Sequence, residues 1–167
     1  MNMNDEYKCT CLILGSNKGE RFGMLQTATD LIASSAGIII SRSSVYETEP
    51  WGYEDTVDYL NQALLVDTLL SAKGLLSATK EIEIRLGRER TDRGYSARTM
   101  DIDILFYDNE IIQTDELIIP HPRLHERRFV LEPLNEIAPG MVHPALKLTV
   151  EEMLKQCKDP SSVRRIG

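Results

Sequence analysis

The chain has 167 residues, 42% of them hydrophobic, and a formal net charge of −7. That is apolar material for one core of ordinary size, so residues 1–167 are expected to form a single domain. The acidic balance argues against a surface devoted to nucleic acid, which needs a basic face and released counterions; an anionic ligand has to be met locally.

Cys9, Cys11 and Cys157 lack CxxC spacing, which disfavours a zinc site or a disulfide framework. The first ten residues show no basic-then-apolar leader, and no apolar run approaches the ~18 residues of a membrane span. A cytoplasmic monomer touching neither membrane nor nucleic acid is the expectation.

In chain order, residues 7–14 (YKCTCLIL) predict a strand, with Cys9 and Cys11 on one face, ending at a tight turn in GSN. Leu25, Ala28, Leu31 and Ile32 fall at helical spacing before Gly37, and IIISRSSVYET predicts a second strand. EPWGYEDTVD is a loop by its Pro50 and Gly52, and YLNQALLVDTLL a third strand. Ser71 suits an N-cap for a helix carrying Leu75, Thr79, Ile82 and Leu86 and stopping at Gly87.

After an arginine-rich loop comes the strand TMDIDILFY, with Asp108 and Asn109 as a turn and EIIQT able to pair back on it as a hairpin. Helices are expected over 130–137 and in TVEEMLKQC. Strand, helix, strand, strand, helix, strand is the order of an α+β ferredoxin-like sandwich, an antiparallel sheet with helices on one face.

The chemistry concentrates around TMDIDILFY. Alternation puts Asp101 and Asp103 on one face and Met100, Ile102, Ile104 and Phe106 on the other. Two such carboxylates, about 6.5–7 Å apart at Cα, can bracket a hard divalent cation, Mg²⁺ preferring a couple of carboxylates plus water and phosphate. By itself DxD also fits a half-exposed strand whose polar face is acidic. Arg85, Arg88, Arg90, Arg93 and Arg98 stand just before it against Glu89 and Asp92, an excess of three positive charges that suits a polyphosphate. A solvated charged loop is the plain alternative.

A second basic segment, PHPRLHERRF, adds His121, Arg123, His125, Arg127 and Arg128, a plausible phosphate contact. No GxxxxGK[ST] and no kinase HRD/DFG set is present, and GSNKG is too generic to assign. Tyr46, Trp51, Tyr53 and Tyr59 cluster with Thr48 and Asn61, which suits stacking on a flat heterocycle whose edge is read by hydroxyl and amide.

Taken together, LGSN (14–17), VYETEPWG (45–52), DYLNQA (58–63), LGRER (86–90), RTMDIDILFY (98–107) and IPHPRLHERRFVLEPLNEIAP (119–139) resemble the 6-hydroxymethyl-7,8-dihydropterin pyrophosphokinases of folate biosynthesis, over about residues 7–157. The resemblance implies a ferredoxin-like fold and transfer of pyrophosphate from MgATP to the pterin hydroxymethyl group, releasing AMP. It implies that Asp101 and Asp103 hold two Mg²⁺ ions and that Arg88 and Arg98 stabilise the transferred group. Lys80, Glu83, Ile104, His121 and Arg127, with the same two arginines, would surround the nucleotide.

Tyr59 and Phe129 would stack on the pterin, with Asn61, Thr48, Glu49 and Trp51 reading its edge. Glu49, Tyr95 and Pro122 depart from residues carried by some members of the family. The segment 89–97 would close over both substrates and exclude water. Rival readings are a different Mg²⁺-dependent phosphohydrolase or kinase, which would yield phosphate or ADP, and a non-catalytic effector-binding module.

Overall fold

Seven consecutive residues of the first strand, Thr10 to Ser16, are buried, which is the mark of a strand covered on both faces. The computed structural model describes residues 6–16, 20–48, 58–87 and 100–167, and in it that strand, β1 (Lys8–Ser16), runs through the middle of a sheet. Then follow α1 (Arg21–Ser35), β2 (Ile38–Arg42), β3 (Tyr46–Thr48), β4 (Tyr59–Thr68), α2 (Ala72–Arg85) and β5 (Asp101–Tyr107). β6 (Ile112–Gln113), β7 (Ile118–Ile119), a 3₁₀ turn (Leu124–Glu126), α3 (Arg128–Ile137), α4 (Val150–Gln156) and β8 (Val163–Arg165) complete the chain.

The sheet runs β5-β1-β4-β3-β8, with β2 also on β4, and every pairing is antiparallel. This is the ferredoxin-like α+β order expected. The helices, however, lie on both faces. Leu12, Leu14, Leu60 and Leu64 pack with Leu25, Ala28 and Ile32 of α1 and Leu75 and Ile82 of α2. Cys11, Ile13 and Ala63 point the other way, into a second core with Val130, Leu131 and Leu134 of α3 and Met153 of α4. Burial pushes the Cys11 thiol up, and it donates to the Met141 sulfur at 3.3 Å, so this cysteine packs as an apolar residue.

Side chains and backbone conformation mark the element ends. Ser71 caps α2 by accepting from Gly74 N at 3.0 Å, and Gly87 stops it at φ 86°, a conformation without penalty for glycine. The single expected strand 38–48 is two because Ser43 interrupts it: its hydroxyl accepts from Ala63 N at 2.9 Å in place of a backbone carbonyl. α3 begins at Arg128, two residues before the expected start.

Two further expectations fail on β5. Residues 112–113 pair with Ile118–Ile119 rather than back onto β5. The outer edge of β5 has other partners: Ile102 N donates to the Glu83 carboxylate at 3.3 Å, and Leu105 O accepts from His121 N at 3.0 Å. Phe106, expected beside Ile104, faces the opposite core. Cys11 pairs Phe106 but Leu12 pairs Ile104, so Leu105 is an extra residue, a β-bulge that swings Phe106 across.

Candidate active site

The two acidic residues sit where alternation puts them. Asp103 is opposite Ile13, which faces the α3 core, and Asp101 is opposite Gly15 two residues on, so both carboxylates project on the α3 side at one end of an edge strand. Both are partly exposed. Gly15 is also opposite Asn61, and Asn61 opposite Tyr46. Asp101, Gly15, Asn61 and Tyr46 therefore form one row across four strands, placing Asp101 and Asn61 about 10 Å apart at Cα.

Glycine in that row lets the neighbouring strand's side chain close over the backbone. A Cβ at Gly15 would come to 3.1 Å from Asn61 Oδ1 and 3.9 Å from Tyr59 Cδ1. Asn61, only 4% exposed, donates through Nδ2 to Thr48 Oγ1 at 2.8 Å, which fixes the amide with Oδ1 over the glycine. Thr48 pairs Tyr59, so Thr48, Tyr59 and Asn61 share the face that carries the aspartates.

The connection from β7 to α3 brings cationic groups to the acidic end. Arg127 lies within electrostatic reach of Asp103 and Asp101, and its Cζ stands 5.6 Å from the centroid of the Phe129 ring. Burial lowers the guanidinium's pKa and the two carboxylates oppose that, leaving it charged at neutral pH. Its Nε is buried with no hydrogen-bond partner among the described residues. A buried, charged donor without an acceptor fits an arriving anion, since leaving it unmet costs roughly 1–3 kcal/mol or more.

Burial, and next the Arg127 charge, push His121 down to about 4. Its Nδ1 accepts from Arg123 N at 3.2 Å, so the neutral ring carries its proton on Nε2 and offers a donor.

The other expected residues separate into groups. Glu83 is buried against the β5 edge, and Lys80, one turn earlier on α2, is exposed. Ile104 is in the core shared with α1 and α2, so its side chain faces away from the aspartates. Phe129 is on the first turn of α3, packed against the second core. Arg88, Arg98, Glu49 and Trp51, like the segment 89–97, lie outside the described residues.

Two members of the basic segment 120–129 are engaged within the protein. Arg128 donates from Nε to Asp159 O at 3.0 Å and from Nη2 to Cys157 O at 3.2 Å, and His125 packs edge-on against His143 at 6.4 Å. Among the described residues no group of three His, Cys, Asp or Glu side chains could hold a metal. Two carboxylates with their remaining coordination positions left to water and phosphate are the donor set Mg²⁺ accepts, so the residues present fit that ion. Gly15, read from sequence only as a turn residue, lies in the row between Asp101 and Asn61, a placement that a glycine has no side chain to signal.

Paired carboxylates, a buried arginine Nε and a hydroxyl–amide pair on one face of an α+β sandwich suit an enzyme that handles phosphate. The comparisons narrow the class. The family model for 7,8-dihydro-6-hydroxymethylpterin-pyrophosphokinase matches residues 11–139. The chain is 42% identical over 154 residues to the 2-amino-4-hydroxy-6-hydroxymethyldihydropteridine pyrophosphokinase of Bacillus subtilis (strain 168), covering 91% of this chain and 92% of that one. The protein of the same name from Methylorubrum extorquens is likewise 42% identical, at 92% and 95% coverage.

A folic acid synthesis protein of Dictyostelium discoideum is 36% identical over 99% of this chain and 25% of its own. Among solved structures, an HPPK-DHPS of Plasmodium falciparum matches with TM-score 0.76 at 18% identity, over 93% of this chain and 44% of that one, a likeness of fold alone. The chain thus spans under half of that two-part structure. It belongs to the 7,8-dihydro-6-hydroxymethylpterin-pyrophosphokinase family, and is an enzyme, a pyrophosphokinase of folate biosynthesis.

Proposed function

We propose that this pyrophosphokinase lays its two substrates along one sheet face, the ATP phosphates at the β5 end and 6-hydroxymethyl-7,8-dihydropterin over Gly15, with AMP as the second product. The observation that carries this is the row Asp101, Gly15, Asn61, which joins the charged end to the neutral Asn61–Thr48 pair within about 10 Å. Such a span suits an acceptor whose hydroxymethyl group reaches toward a phosphate while its ring lies beside that pair.

Asp101 and Asp103 would hold two Mg²⁺ ions, whose contribution when bound is to neutralise phosphate charge and orient the β-phosphorus. Arg127 would donate Nε–H to a phosphate oxygen, and His121 would donate Nε2–H without adding charge. Arg88 and Arg98 are read from sequence as stabilising the group in transit, and Lys80, Glu83 and Ile104 as bordering the nucleotide; with the Ile104 side chain in the core, its backbone is the part left to do so. Phe129 and Tyr59 would face the pterin rings while Asn61, Thr48, Glu49 and Trp51 read the edge. Positioning and electrostatics then carry the rate, with no covalent nucleophile required.

We further read the chain as a one-domain cytoplasmic monomer, in line with three cysteines that form no bridge. The deciding experiment incubates protein, Mg²⁺, ATP and the pterin and resolves the nucleotides by chromatography, with Asp101→Ala alongside. Pterin-dependent AMP, lost in the variant, is expected; ADP instead would move the reading to an ordinary kinase.

A further inference from the structure

The segment after α4 does more than end the fold. Asp159, 6% exposed, accepts through Oδ2 from Arg128 N at 3.0 Å, next to Phe129, and through Oδ1 from Ser161 N at 2.9 Å and Ser161 Oγ at 2.5 Å. Burial alone would raise this carboxyl; those bonds outweigh it and hold it below its ordinary range. Four residues later Val163 pairs Thr48, the partner of Asn61.

β8 thus covers what would otherwise be a bare three-residue edge strand. Arg164 Nη2 reaches Glu47 Oε1 at 2.6 Å and Asp58 Oδ2 at 3.8 Å. Arg21 Nη1, at the start of α1, closes the set on Glu47 Oε2 at 3.3 Å and Asp58 O at 2.8 Å. Glu47 and Asp58 flank Thr48 and Tyr59, so the network ties the ends of β3 and β4 together on the side of the sheet away from Thr48 and Asn61.

We propose that residues 159–165 form a strap, with Asp159 and Arg164 as positioning residues that set the separation between the Phe129 side of the pterin subsite and its Thr48–Asn61 side. The inference rests on the pterin assignment made above. Its physical basis is length: four residues span at most about 14 Å even fully extended, so the α3 anchor and the β3 pairing cannot move apart independently. Neither residue touches the substrate. Their effect is transmitted through Arg128 and Phe129 on one side and through Glu47, β3 and Thr48 on the other.

The test inserts two glycines between Ser161 and Ser162, which lengthens the strap while keeping the Asp159–Ser161 bonds and the β8 pairing, and separately makes Arg164→Ala and Asp159→Asn. Binding of the pterin and of a non-hydrolysable ATP analogue is measured, with thermal midpoints. Misplacement of one wall predicts pterin affinity about five- to tenfold weaker in the insertion variant, with ATP affinity within about twofold of the parent. A smaller loss in the same direction is expected for Arg164→Ala, which Arg164→Lys should partly restore.

Unchanged pterin binding in the insertion variant overturns the strap, as does a parallel loss of both ligands that follows a fallen midpoint. Phe129→Ala separates the two levels. If it leaves pterin affinity intact, the subsite assignment fails and the strap with it; if it weakens pterin binding while the strap variants do not, only the strap fails.

Discussion

The two ends of the functional face are built on opposite principles. At the β5 end the groups are charged and only partly buried: Asp101, Asp103 and Arg127, with an arginine Nε that has no hydrogen-bond partner among the described residues. At the β4 end they are neutral and buried, and satisfied by one another, Asn61 donating to Thr48 above a glycine. The first arrangement stores an unmet electrostatic demand that a phosphate with its cation can meet. The second stores shape, because a fixed amide can be complementary to only a few ring edges.

If that contrast holds, damage at the charged end should fall on turnover and nucleotide, and damage at the neutral end on the pterin. The largest effect is expected from Asp101→Ala or Asp103→Ala, which should lower kcat by several orders of magnitude, at about 1.4 kcal/mol per factor of ten. A folded variant turning over near the parental rate would remove the carboxylates from the chemistry. Arg127→Lys keeps the charge but loses the fork, and should cost about 1.5–3 kcal/mol in ATP affinity with pterin binding little changed. Equal loss of both ligands would blur the contrast.

At the neutral end, Phe129→Ala should weaken pterin binding by about 1–3 kcal/mol through lost burial and stacking. Calorimetry with each ligand alone is the check; an unchanged pterin affinity would make Phe129 a core residue. Gly15→Ala is expected to cost about 1 kcal/mol of pterin affinity, since the new methyl meets Asn61 Oδ1 at 3.1 Å.

The smallest effect is spectroscopic: the His121 imidazole should titrate by NMR with a midpoint about 4. A folded value below the ordinary 6.5 means the native state resists protonation. The stability contributed by neutral His121 is therefore complete above pH 6.5 and lost as pH falls toward 4. A midpoint near 6.5 would make the residue a cation at mildly acidic pH and not a neutral donor.

Much of this was legible in the residues. Alternation places Asp101 and Asp103 together, Ser71 and Gly87 bound their helix, and the order of elements yields the sheet. What escaped depends on contacts between distant parts of the chain. Phe106 changes face because β1 and β5 are out of step at Leu105, a property of the pair and not of either strand. Arg128 reads like Arg127 in sequence, yet it is bound by backbone oxygens of Cys157 and Asp159 some thirty residues on. The second helical layer was hidden for a similar reason: an unbroken apolar strand says that both faces are covered but not by what.

The bulge at Leu105 has a consequence for how ligands arrive. By turning Phe106 toward the side already occupied by Leu105, it puts two large apolar side chains along β5 directly behind Asp103, on the same side of the sheet. Nonpolar matter of low polarisability at the back of a charge directs its field lines outward into solvent. The acidic rim therefore acts as a lens for cations at a distance, and the rate at which free Mg²⁺ is captured should fall steeply as added salt shortens the Debye length.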